Sequence, residues 1–85
     1  MPLPIAGEVL VTVVDANPIQ IHGDLYVDLA LQTEPGETPT MARVPGHILL
    51  IDGGQPEVPA AGTRLVVRVL LGQVDGVRRP DDEPA

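Results

Sequence analysis

From Asp24 to Gln32 the chain alternates strictly, with Leu25, Val27, Leu29 and Leu31 on one side and Asp24, Tyr26, Asp28, Ala30 and Gln32 on the other. A period of two is the mark of a strand with one core face and one wet face. Arg64–Leu71 repeats the pattern, placing Leu65, Val67, Val69 and Leu71 inward and Arg64, Val66, Arg68 and Leu70 outward. Gly7–Asp15 is rich in β-branched residues and apolar on both faces, Val9, Val11 and Val13 against Leu10 and Val14, which predicts a strand buried on both sides or carrying an oligomer contact. Asn17-Pro18 reads as the turn that closes it, and Ile19-Gln20-Ile21 as an extension of the next hairpin with Gly23 as a bulge.

The remaining punctuation sets out the other elements. Thr33–Pro39 contains Pro35-Gly36, which presets φ at one turn position and permits positive φ at the next, so a hairpin loop is expected. Thr40–Val44 predicts a short third strand stopped by Pro45-Gly46, and His47–Asp52 reads as another short strand or one helical turn, its length favouring the strand. Gly53–Gly62, with Gly53-Gly54, Pro56 and Pro59, predicts an extended surface connection. Asp75-Gly76 reads as a tight turn leaving Val77-Arg78 as a stub strand, and residues 79–85 read as a flexible acidic tail after a domain of residues 1–78. Five short strands at this spacing predict an all-β fold, a small five-stranded Greek-key barrel of the oligonucleotide/oligosaccharide-binding (OB) type, complete or lacking part of its last strand, with SH3-like barrels and small sandwiches as alternatives.

Composition narrows the chemistry. Phe, Trp, Cys, Lys and Ser are absent, Tyr26 is the single aromatic residue, and the core is left to 12 Val, 10 Leu and 5 Ile in 85 residues. Without Cys there is no disulfide or thiolate zinc site, and without Ser, Cys or Lys no triad spacing for nucleophilic catalysis is visible. A non-enzyme with no cofactor and no metal is the expectation; His22 with Asp24 and His47 with Asp52 are pairs lacking a third ligand, and read as loop histidines. The start Met1-Pro2-Leu3-Pro4 has neither a basic region nor a long apolar run, so a cytoplasmic protein without a membrane span is expected. The net charge of −7 repels polyphosphates at long range.

Several motifs taken together resemble the N-terminal domain of bacterial single-stranded DNA-binding proteins. They are Ile5-Ala6-Gly7-Glu8-Val9 entering the first strand, Pro18, Gly23 leading to Leu29-Ala30, Gly62-Thr63-Arg64-Leu65-Val66-Val67, Asp75-Gly76 and the acidic end Asp81-Asp82-Glu83-Pro84-Ala85. The chain departs from that family in lacking the Trp and Phe on which bases stack, in its short fifth strand, and in ending on Ala85 rather than Phe. The small, wholly aliphatic core predicts completion by homo-oligomerisation, and the resemblance implies an OB fold and single-stranded nucleic acid as partner. On that reading Tyr26 is the stacking residue and Arg43, Arg64 and Arg68 meet phosphates. The alternative is a protein-interaction or assembly module, in which the outward aliphatics Leu10, Val14, Val66 and Leu70 pair with a second copy or another protein.

Overall fold

The computed structural model describes residues 5–51 and 54–80. Five strands, β1 (Ala6–Ile21), β2 (Asp24–Gln32), β3 (Thr40–Pro45), β4 (Arg64–Leu70) and β5 (Gln73–Arg78), form one antiparallel sheet in the order β3-β2-β1-β4-β5. A 3-10 turn, η1 (Gly46–Ile48), follows β3. The sheet is all-β as the alternation predicts, but β3 and β5, which approach each other, form no ladder, so it is not closed into a barrel.

β1 makes this shape possible. Its first half pairs with β4 from Ala6 to Thr12, and its second half pairs with β2 from Thr12 to Ile21. The extra residue Val14 bulges between Val13 and Asp15 where the strand changes partners, and bulges bend and twist strands. Asn17-Pro18 is therefore not a turn: Pro18 lies within β1, opposite Val27. Beyond Val13 the other flank of β1 has no strand beside it, and a half-edge of this kind is where sheets admit proline.

The reversal falls instead at His22-Gly23, with φ of 53° and 84°, and the same pair of left-handed residues recurs at Leu71-Gly72, with φ of 54° and 78°. Two consecutive positive φ values make the two-residue hairpin turn whose twist matches the flanking strands. The second turn corrects the expected end of the chain. Asp75-Gly76 is not a turn but part of β5, with Asp75 as the extra residue between the pairs Val69–Val74 and Arg68–Gly76, and β5 is a six-residue strand rather than a stub.

The core is aliphatic, as composition requires. Val11, Val13, Val27, Leu29, Leu31, Val44, Leu65, Val67, Val69 and Val74 line the concave side of the sheet, and each buried side chain of this size contributes about 1.5–3 kcal/mol. Leu49 and Ile51 complete it from the chain beyond η1. Over its described residues, 47–51, the His47–Asp52 stretch opens on the helical turn rather than forming the strand that its length favours. η1 begins it, and no neighbouring strand is available to pair with the rest, although one hydrogen bond from Glu57 N–H to the Leu49 carbonyl (3.0 Å) ties it to the later connection. Two aliphatics expected inward are outside: Leu71 is 82% exposed because it forms the β4–β5 turn, and Leu25, 43% exposed, sits past the end of the core, over Gly46. A Cβ at Gly46 would lie 2.9 Å from Leu25 Cδ2, so the glycine admits that approach.

The expected loop after β2 is tied by a hydrogen bond from Gln32 Nε2 to the Glu37 carbonyl (2.6 Å) and one from Thr33 Oγ1 to Glu37 Oε2 (2.9 Å). Residues 81–85, most of the expected tail, and Asp52 and Gly53 lie outside the described residues. Among the described residues no helix is long and apolar enough to cross a membrane.

Candidate functional site

The outward residues of β2 and β3 form the face with the most varied chemistry. Register places Tyr26 between Ile19 of β1 and Pro45 of β3, and Asp28 between Asn17 and Arg43. Tyr26 is half-buried, its ring flanked by two apolar neighbours. The strands therefore hold an aromatic ring at a defined place between apolar neighbours.

A groove of about 650 Å³ runs from Tyr26 along Met41, Arg43 and Pro45, and its far wall is Gly72, Gln73 and Val74 at the start of β5. It occupies the seam where β3 and β5 approach without pairing. A second hollow, of about 480 Å³, shares Tyr26 and Pro45 and continues to Asp24, Gly46 and His47. Tyr26 is thus the partition between two concave surfaces.

Electrostatics in the groove are set by one pair. Arg43 donates from Nε to Asp28 Oδ1 (2.7 Å) and from a terminal nitrogen to Oδ2 (3.1 Å). The hydrogen bonds from Arg43 hold the Asp28 carboxyl below its ordinary value, desolvation opposes them, and the charge of Arg43 adds to the lowering. The same bonds, with the carboxylate charge, raise Arg43. Each partner favours the other's charged form, so the groove carries a cation with a carboxylate bound to it.

The structure brings Tyr26 and Arg43 together and places Arg64 and Arg68 elsewhere. Both lie on β4, separated from β2 by β1, Arg64 beside Thr12 and Arg68 beside Glu8. The three arginines do not make one track across neighbouring strands. Arg68 Nε donates to Asp75 Oδ1 (2.8 Å) and Arg78 to Glu8 Oε1 (3.1 Å), pairs that fasten β5 to β4 and β1. Hydrogen bonding to Asp75 raises Arg68, followed by the attraction of Asp75, against a small desolvation and with a contribution from Glu8.

Of the outward aliphatics, Leu10 and Val66 face each other directly across β1 and β4, Leu10 being 41% exposed and Val66 half-buried. Val14 (42% exposed) stands on the β1 bulge and Leu70 (55%) near the β4–β5 turn, so the four are strung along one surface with Leu10–Val66 at its middle.

The β4–β5 turn as a wall of the groove was not legible in the residues. Leu71 is an uncommon turn former, and the Asp75-Gly76 pair drew the turn four residues too late. Gly72 followed by an alternating stretch was the available signal. Among the described residues no group of three or more His, Asp or Glu is placed to hold a metal ion. No protein-family model, curated protein or solved structure matches the chain.

Proposed function

We propose that the protein is a non-catalytic, OB-like module that binds, or is accessory to, single-stranded nucleic acid on its β2–β3 face. The observation that carries this reading is the place of the only aromatic ring: Tyr26 stands in the wall of a groove bounded by β3 and by the β4–β5 turn. In OB barrels the second and third strands and the β1–β2 and β4–β5 turns carry the ligand. The order β3-β2-β1-β4-β5 supports that assignment, since joining β3 to β5 would close it as a five-stranded barrel. The resemblance of the Gly7, Gly23–Ala30 and Gly62–Val67 motifs to single-stranded DNA-binding proteins supports the ligand class.

Magnitudes define what kind of binding this is. A base stacked on an aromatic side chain is worth about 1–3 kcal/mol. Among the described residues Arg43 is the groove's one cation, and one phosphate contact gives a salt slope of about −0.7 on a single strand. Binding is then modest, dominated by stacking and only weakly sensitive to salt, which reconciles a strand-binding face with a net charge of −7.

A labelled oligo(dT) titration at about 50 mM salt, where electrostatic contributions are strong, tests the reading. Binding that Tyr26→Ala and Arg43→Ala weaken, and that Arg68→Ala outside the groove leaves in place, is expected. No binding of oligo(dT) or of a guanine-containing strand at that salt rejects it.

A second reading, a protein-interaction or assembly module without nucleic acid, is favoured by the exposed Leu10–Val66 pair and its neighbours Val14 and Leu70. Light scattering addresses the self-association it includes: association lost in Leu10→Asp supports it, and a monomer at every concentration rejects self-assembly through this surface.

A further inference from the structure

We propose that the hollow on the other side of Tyr26 is a base-reading subsite that prefers guanine to thymine, with the Asp24 carboxylate as the specificity-determining group. This rests on the single-strand reading of the adjoining groove. The hollow is lined by Asp24, Leu25, Tyr26, Gly46, His47 and Pro56 and measures about 480 Å³, within the roughly 300–1,000 Å³ of small-ligand sites.

Asp24 and Tyr26 are alternate residues of β2, so both project from the outer face, with Cα atoms about 7 Å apart along the strand. The position of Asp24 is fixed by the hairpin: it pairs with Ile21 across the His22-Gly23 turn, whose two left-handed residues set the strand's departure. Unlike Asp28, which Arg43 holds, the Asp24 carboxylate makes no hydrogen bond or ion pair with any described residue. An open carboxylate therefore stands beside an aromatic platform at the mouth of a hollow.

An ionised carboxylate only accepts hydrogen bonds. A base stacked on Tyr26 with its Watson–Crick edge toward Asp24 must offer donors. Guanine offers two in parallel, N1–H and the 2-amino group, which match the two carboxylate oxygens as an arginine fork does. Adenine and cytosine offer one amino group each. Thymine offers N3–H between two carbonyl oxygens whose lone pairs face the carboxylate. Single-stranded bases are commonly read on this edge. The same carboxylate that opposes phosphate selects bases by their donors, so selectivity and acidity have one origin.

The test compares three strands of about 12 nucleotides, within the span of an OB site: all-thymine, alternating thymine–guanine, and alternating thymine–inosine, which lacks the 2-amino group. The thymine–guanine strand is expected to bind about tenfold more tightly than all-thymine, the scale of one bidentate base contact, with the inosine strand between them. Asp24→Asn, a replacement of an exposed side chain, should bring the three affinities together while a thermal melt shows the fold unchanged. Equal affinities of the native chain for all three strands, with binding still dependent on Tyr26, overturn the subsite and leave the single-strand reading standing. Failure of every strand to bind overturns both.

Discussion

Arg43 on β3 and Asp28 on β2 face each other in register and share two hydrogen bonds, of 2.7 and 3.1 Å, in a fork against a carboxylate. The pair lies one step along the strands from Tyr26, so whatever enters the groove meets a guanidinium already engaged. Asp28→Asn removes the competing charge and leaves Arg43 in place. Oligonucleotide affinity is expected to rise by about two- to fivefold, the scale of an exposed charge contact, with Arg43→Ala acting in the opposite direction. Unchanged affinity in Asp28→Asn places the strand away from this pair.

The same pair makes stability depend on pH. The Asp28 carboxyl, lowered first by its hydrogen bonds to Arg43, releases its proton more readily in the folded chain than in the unfolded one. Its contribution is therefore complete above the ordinary aspartate value of about 3.9 and is lost as pH falls through the lower folded value. Thermal melts from neutral to acid pH should show the native midpoint falling faster than that of Asp28→Asn below about pH 4. Parallel curves would contradict the linkage. Arg43 is shifted upward, so its contribution is present throughout this range.

Leu71 holds φ of 54° at the tip of the β4–β5 turn while 82% exposed. A left-handed backbone costs a residue with a branched side chain about 1–2 kcal/mol, and here little burial offsets it. Leu71→Gly, or Leu71→Asn with its tolerance of this region, is predicted to stabilise the fold by about 1 kcal/mol, a rise of about 4–8 °C in Tm for a domain of this size. A fall in Tm would mean that Leu71 makes a contact that its exposure conceals.

Leu29 is fully buried at the centre of β2, opposite Ala16 and Ala42. Leu29→Ala should cost about 2–5 kcal/mol through lost burial and a residual cavity. Domains have about 0.05–0.15 kcal/mol of stability per residue, so the loss is a large share of the whole for 85 residues. Urea denaturation is expected to show a midpoint shifted far down or an unfolded chain; a shift under about 1 kcal/mol would contradict the aliphatic core as drawn.

Strands were most legible where one face meets the core and the other meets water. β2 and β4 announce themselves by alternation because Val27, Leu29, Leu65 and Val67 must all point inward. Asn17-Pro18 in the sequence predicts an early end to β1; only its change of partners, a tertiary fact, makes proline tolerable there. The β4–β5 turn was misplaced because Leu71 obeys the hairpin geometry rather than residue preference. The length of the apolar run favours a strand over a helical turn at His47–Asp52, whereas Leu49 and Ile51 reach the core without a ladder. The groove was half legible: Tyr26 and Arg43 were identifiable as outward residues, whereas their separation from Arg64 and Arg68 follows from strand order, which periodicity does not encode.

Tyr26 is the only fluorophore among the side chains, which makes intrinsic emission a report from the groove alone. Titration of the native chain with unlabelled single-stranded oligonucleotide at low salt should quench tyrosine emission in a saturable way, with the same midpoint as a labelled-strand titration. Emission that stays constant while the strand binds, or no binding at all, would contradict the claim that a base stacks on this ring.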